Sequence, residues 1–295
     1  MSILIDPPLW PAHNTFFSHL VSDTSLDELH AFAREQQVPQ RAFDRDHYDV
    51  PQARYQQLLR AGAQEVSAGE LVRRLISSGI RIPSRFRPEK LDGVLLRRFA
   101  RTLPAPELGR QLLAAWSESH RKYHDRVHLL SVLEALDLLT EPDFDPDERR
   151  ILELTAWFHD AVYRGTEEDE ADSARMAQHL LSRHTNAAVR DEVHRLVLLS
   201  KHHDPKPHDH LGKIFSDADL EVLARPAAAY QRYTLAIAEE YAHVPRADFA
   251  RGRSRILCAL LAKDRIYATL TGQDRWEVTA RANVRAELDR LAAWH

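Results

Sequence analysis

Residues 152–163, LELTAWFHDAVY, decide the reading of this chain. Their apolar positions follow helical spacing, yet an adjacent histidine and aspartate, His159 and Asp160, sit inside the run. A carboxylate in such a setting needs a partner, because a buried charge without one is costly. Two other helix-patterned segments supply candidates: His128 in YHDRVHLLSVL and Asp219 in FSDADLEVL. Imidazoles and carboxylates on three separate segments form a set that a helical protein can fold around a divalent ion. The competing account is a pair of core histidines hydrogen-bonded to neighbouring carboxylates.

Composition sets the frame for that choice. A length of 295 residues exceeds the usual single domain, so two unequal domains are expected. With 44% hydrophobic and 28% charged residues and only 9 Gly, the chain reads as globular and rich in helix. Forty Lys and Arg against 44 Asp and Glu leave a net charge of −4, which creates no global field for nucleic acid or an anionic membrane. The lone cysteine, Cys258, excludes an intramolecular disulfide and a cysteine-based zinc site. No basic leader precedes a long apolar run, and no stretch approaches the roughly 18 apolar residues of a membrane span, so a cytoplasmic chain without a membrane partner is expected. A homo-oligomer stays open.

The expected fold is mainly α, an all-helical domain preceded by a small α/β domain. Residues 1–82 form the small domain. SILID (2–6) reads as a short buried strand ended by Pro7 and Pro8. Ser25 with Glu28 and Ser67 with Glu70 resemble capping boxes ahead of amphipathic helices, and VPQRAF (38–43) and AQEV (63–66) read as short strands. Residues 83–104 are expected to be a basic linker. Between positions 81 and 101 the chain places two prolines and seven basic residues, Arg81, Arg85, Arg87, Lys90, Arg97, Arg98 and Arg101. Such a stretch is a solvated connector or, alternatively, a guide for a phosphodiester.

Residues 105–295 are helix-patterned throughout, with helices expected near 107–120, 124–140, 147–163, 169–183, 188–202, 226–243, 247–270 and 275–293. Pro142, Pro146, Pro205, Pro207, Pro226 and Pro245 mark their limits. On a helix starting near Tyr123, His124 and His128 share a face one turn apart. A donor set of imidazole and carboxylate without thiolate suits Mn, Mg, Fe, Co, Ni or Zn, as one ion or two. Such a site activates water near neutral pH and neutralises phosphate oxygens, which makes phosphoester hydrolysis the natural reaction.

The order His128, His159-Asp160, Asp219 on a helical background resembles the HD-domain superfamily of metal-dependent phosphohydrolases. RKYHDRVH (121–128), WFHDAVY (157–163), EADSA (170–174), DADLEVL (217–223), EEYAHVP (239–245) and ARANVRAEL (280–288) are similar to a bacterial branch of it. The resemblance implies His128, His159, Asp160 and Asp219 as metal ligands, with Asp160 bridging if two ions bind. Asp217 is the substitute for Asp219. His203 is the expected ligand of a second ion, with His202 as the alternative. Asp160, His203 and His124 form the expected catalytic group, His124 as an orienting neighbour. The implied substrate is a small phosphate ester, such as a nucleotide.

Arg121, Lys201, Arg164, Arg253 and Lys263 are the candidates for gripping phosphate. Tyr230, Tyr233, Tyr241 and Trp276 are the candidates for stacking on a base, Tyr241 foremost. Arg121, Lys201 and Tyr241 are the expected substrate-binding residues. A non-catalytic nucleotide sensor is the alternative function, and a nucleic-acid phosphodiesterase a further one. In the first domain, DPPLWPAH (6–13), SHLVSDTSLDELHAFA (18–33) and DRDHYDVP (44–51) are similar to a small uncharacterised bacterial domain. There His13, His19, Asp23, Asp46, His47 and Asp49 form a polar group able to line a second pocket or bind a metal.

Overall fold

A computed structural model describes residues 2–81 and 88–292. Arg85 and Arg87 of the expected linker lie outside the described residues. The chain is mainly helical, with a small sheet near its N-terminus, and it folds as two compact units. Pro226–Gln231 belong to the N-terminal unit.

That unit is built from β1 (Ile3–Ile5), β2 (Trp10–Ala12), β3 (Thr15–Ser22), α1 (Leu26–Glu35), β4 (Phe43–Asp44), β5 (His47–Pro51), α2 (Gln52–Arg60), β6 (Gln64–Glu65) and α3 (Ala68–Ser77). The strands run in the order β4-β5-β3-β1-β6, with β2 paired to β3. All pairs are antiparallel except β1 with β6. Alternation along β1 and β3 sends Ile5 and Leu20 into one cluster with Leu29, Tyr55 and Leu58 of the helices. Leu4 and Val21 enter another with Leu71 and Leu75. Helices thus cover both faces.

The expected strand at SILID is present as β1, and AQEV contains β6. VPQRAF is instead mostly a single 3₁₀ turn, Gln40–Ala42, and only Phe43 belongs to a strand. Ser67 and Ser25 cap their helices, each accepting the backbone N–H three residues on. The reciprocal half of a capping box does not form at Ser25. Its N–H donates to Ser22 Oγ, which in turn donates to the Glu28 carboxylate.

The helical unit comprises α4 (Pro88–Thr102), α5 (Pro106–Ala115), α6 (Arg126–Leu139), α7 (Pro146–Phe158), α8 (Asp169–Leu181), α9 (Ala187–Leu199), α10 (His210–Asp219), a 3₁₀ turn (Leu220–Ala224), the later part of α11 (Ala227–Glu240), α12 (Arg246–Ala262) and α13 (Leu270–Ala292). Most of the stretch expected as a solvated linker is α4, because Leu91, Leu95 and Phe99 recur at helical spacing and are buried. Arg98, expected as free basic surface, is bound to both Asp137 oxygens and to the Leu133 carbonyl. Helix α10 is additional to the helix spans expected, although FSDADLEVL, which contains its last residues, is read as helix-patterned. Asp209 caps it, and Leu211, Ile214, Phe215 and Ala218 bury its inner face against α6, α7 and α9.

Helices α4 and α5 meet at Gly109. A Cβ there would stand 2.7 Å from Phe99 Cδ1, and Phe99 is itself locked edge-on against Trp157 with centroids 4.9 Å apart. Gly109→Ala is therefore expected to cost about 1–3 kcal/mol through overpacking. In a unit of this size that lowers the melting temperature by roughly 3–10 °C, measurable by circular dichroism. An unchanged melting point would mean that the ring yields freely.

Candidate metal centre

Three helix ends converge on one point. Asp125 caps α6, accepting from the N–H groups of Val127 and His128, and so sets His128 in the first turn, 3% exposed. Helix α7 ends at Phe158, so His159 is its C-cap and Asp160 lies in the turn beyond, not within a continuing helix. Helix α10 ends on Asp219. The C-termini of α7 and α10 carry partial negative charge towards the group they present, which favours a cation.

Four donor atoms face one another. His128 Nε2 lies 3.1 Å from His159 Nε2, 3.2 Å from Asp219 Oδ1 and 3.7 Å from Asp160 Oδ2. His159 Nε2 lies 3.1 Å from Asp160 Oδ2 and 3.5 Å from Asp219 Oδ1. A divalent ion about 2.0–2.2 Å from each donor would separate neighbouring donors by about 2.9–3.5 Å, so the cluster has the right size. His159 Nδ1 lies 2.9 Å from the Ala156 carbonyl, to which only an N–H can donate, so the neutral ring carries its lone pair on Nε2. Trp116 packs on both imidazoles and is anchored by its indole N–H on the Trp157 carbonyl. His128, His159 and Asp160 bring one donor atom each within 4.8 Å of one another, a cluster that could bind a metal, and Asp219 lies against both imidazoles.

The electrostatics ionise both carboxylates and keep His128 neutral. At His159, burial, which would lower the pKa, is outweighed by Asp160 and Asp219, which hold the imidazole well above its usual range, so that an ion bound there displaces a proton. Burial would raise Asp160 and Asp219, but His159 outweighs it for both, with His128 assisting at Asp219, and holds both carboxyls below the usual range. Burial likewise dominates at His128 and pulls it down.

Of the residues expected here, the structure gathers His128, His159, Asp160 and Asp219, with His203 beside them. His203 Nε2 is 3.7 Å from Asp219 Oδ2, and its neighbour His202 is exposed. Asp219 faces imidazoles with both oxygens, Oδ1 towards His128 and His159 and Oδ2 towards His203, and Asp160 turns Oδ2 to His128 and His159. His203 adopts φ 47°, a left-handed conformation uncommon for a non-glycine residue, and Lys263 Nζ holds its carbonyl at 2.7 Å. Asp217 is engaged elsewhere. It accepts from the N–H groups of Ala268 and Thr269 and from Thr269 Oγ1, at 2.6–2.8 Å.

Two expectations change. His124 precedes α6 and does not share a helical face with His128; Glu240 positions it, with Oε2 2.7 Å from His124 Nδ1. Arg121 does not present its guanidinium to a substrate. The side chain is 0% exposed and donates to the carbonyls of His124, Asp160 and Ala161 and to Glu118. It fastens the His159-Asp160 turn to the loop before α6. Lys201 and Tyr241 do line the adjoining cavity of about 720 Å³, as do His124, Tyr233, Arg253 and Lys263. Arg253 is paired with Glu287, and Arg164 with Asp169 and Asp172. Trp276 is buried against Tyr267, and Tyr230 is buried in the N-terminal unit.

Glu240 was missed. Its carboxylate accepts from three successive backbone N–H groups, those of Lys122, Tyr123 and His124, and from His124 and Tyr163 side chains. Its only signal in the sequence is its place in EEYAHVP, next to Tyr241. Burial would raise its pKa, but the His124 and backbone hydrogen bonds outweigh burial and bring it down to about 2. The folded value lies below the ordinary 4.5, so this stabilisation is complete above about pH 4.5 and is lost as pH falls towards 2. The urea stability gap between wild type and Glu240→Gln should narrow from about pH 6 to about pH 3. A constant gap would show that the charge on Glu240 contributes nothing.

No helix among the described residues is long and apolar enough to cross a membrane. A family described as "Protein of unknown function (DUF4031)" matches residues 3–78, within the N-terminal unit. Neither the curated proteins nor the solved structures contain a match to the chain.

Proposed function

We propose that the helical unit is an HD-type metal-dependent phosphohydrolase that cleaves a small phosphate ester, such as a nucleotide, with water as the nucleophile. The observation that carries this reading is the convergence of His128, His159, Asp160 and Asp219 beside a cavity of about 720 Å³, a volume suited to a small-molecule ligand. Those four side chains would hold the ion, and His203 is placed to assist. A divalent ion bound there lowers the pKa of water and offsets charge on phosphate oxygens.

The chain's own residues supply the rest. Glu240 occupies Nδ1 of His124, which leaves Nε2 to accept or return a proton at the cavity wall. Lys201, at the cavity and 38% exposed, donates to the Glu167 carbonyl and lies 4.0 Å from Glu170, and its ammonium would add positive charge for a phosphate. Tyr123, Tyr233 and Tyr241 line the same cavity and give it aromatic surface for an organic group.

The test is phosphate release from a panel of nucleotides and phosphomonoesters, with Mn, Mg, Co, Ni and Zn supplied in turn. Metal-dependent turnover identifies the substrate class. A second reading, a nucleotide sensor without turnover, draws on the pairing of two cavity cations: Arg253 with Glu287, and Lys263 with the His203 carbonyl. Stabilisation by a nucleotide with no phosphate release under any metal would favour it.

A further inference from the structure

The N-terminal unit gathers a second set of donors. His19, His47 and Asp49 bring one ligand atom each within 4.8 Å of one another. The sheet produces this directly. His19 on β3 stands opposite Asp49 on β5, and His47 lies two residues before Asp49 on the same strand. The two-residue period of a strand therefore puts all three on one face, while Leu20, Tyr48 and Val50 point into the core on the other.

Each imidazole is held from behind by a buried carboxylate. His19 Nδ1 lies 2.9 Å from Asp6 Oδ2, and His47 Nδ1 lies 2.6 Å from Asp46 Oδ1. Asp6 and Asp46 are 1% and 2% exposed. Asp6 is further fixed by the His19 backbone N–H and the Trp10 indole N–H. A carboxylate only accepts, so in each neutral ring it holds the proton on Nδ1 and leaves the lone pair on Nε2; carboxylates orient metal-binding histidines in the same way. Asp49 Oδ1 then lies 3.9 Å from His19 Nε2 and 3.5 Å from His47 Nε2. With both rings neutral, three acceptors face one another.

We propose that His19, His47 and Asp49 bind a first-row divalent metal ion, oriented by Asp6 and Asp46. Two imidazoles and one carboxylate suit Zn²⁺, Co²⁺, Ni²⁺ or Fe²⁺, whereas Mg²⁺ and Ca²⁺ require shells of oxygen. The separation from His47 matches the roughly 3.3–3.5 Å edge of a tetrahedral site and that from His19 is wider, a difference that Asp49, 48% exposed, can close by a small rotation. Three protein ligands with one half-exposed member leave coordination positions open to solvent, as in sites that take up a further ligand. The remaining members of the polar group expected from the sequence stand apart: Asp23 is bound to Arg74 and the Ser2 N–H, and His13 sits at the exposed β2–β3 turn.

This site is independent of the phosphohydrolase reading. The test is the zinc content of the full-length chain, loaded with Zn²⁺, desalted and measured by elemental analysis. Wild type is compared with Asp49→Ala, His19→Ala and Asp160→Ala. Asp49→Ala and His19→Ala are each expected to lose about one equivalent that Asp160→Ala retains, with the double variant Asp49→Ala/Asp160→Ala losing both. Thermal unfolding checks that each variant is folded, and the half-exposed Asp49 offers the substitution least able to disturb the core. A folded Asp49→Ala protein with the wild-type zinc content overturns the proposal, since the cluster would then be an ion-pair network in which the proton on His47 takes the place of the metal.

Discussion

Asp160→Ala is expected to lower metal-dependent phosphate release by about a thousandfold or more, as removal of a group acting directly on transition-state charge does. The carboxylate is one of four donors within 3.1–3.7 Å of their neighbours, and no other carboxylate than Asp219 contacts His128 and His159 among the described residues. Its loss removes a ligand and half of the negative charge that attracts the ion. A second readout separates binding from folding. At about 100 times its dissociation constant a metal stabilises the wild type by about 2.7 kcal/mol, a rise in melting temperature of roughly 5–10 °C for a unit of this size. That rise should disappear in Asp160→Ala, even though the metal-free melting point falls with the loss of the pairing between Asp160 and His159. Full retention of the rate with the fold intact would remove the phosphohydrolase reading.

Arg121→Ala is expected to be the most destabilising single substitution near the site. The guanidinium is fully enclosed between Trp116 and Tyr163 and satisfies the carbonyls of His124, Asp160 and Ala161. Removing it leaves buried acceptors without donors at about 1–3 kcal/mol each, with a total near 3–5 kcal/mol because the penalties overlap. The melting temperature should fall by roughly 10 °C. Arg121→Lys should recover little, since an ammonium cannot span three carbonyls as a planar fork does. Because the Asp160 and His124 carbonyls share this one anchor, the metal-induced rise in melting temperature should shrink as well. A melting point within about 1 °C of wild type would show that water replaces the lost donors.

Much of this protein can be read from local pattern. The helical character of residues 105–292 follows from apolar spacing, and the strand at Ile3–Ile5 from a short run of branched residues before two prolines. The N-caps at Ser25 and Ser67 follow from residue type alone. Strand β3 escaped notice because its outward residues, Thr15 and His19, are polar and its buried ones include Ser18 and Ser22. Only the end of helix α10, in FSDADLEVL, is legible as helix, because ten residues between prolines, with Gly212 inside, have weak intrinsic preference and form a helix by packing on three others.

The same division runs through both sites. Residue type and order single out His128, His159, Asp160 and Asp219, and a polar group in the first 50 residues, since buried imidazole and carboxylate stand out against apolar neighbours. Only the tertiary structure chooses between Asp219 and Asp217, which lie two positions apart at the end of one helix: one carboxylate meets three imidazoles, the other caps the turn at Ala268 and Thr269. Only it turns Arg121 from a surface cation into a buried fastener, reveals Glu240 beneath the loop before α6, and separates His19, His47 and Asp49 from Asp23 and His13. Spacing along the chain reports which face of one element a side chain occupies. Which partner that face meets depends on contacts between residues as far apart as Lys122 and Glu240, and those exist only once the chain has packed.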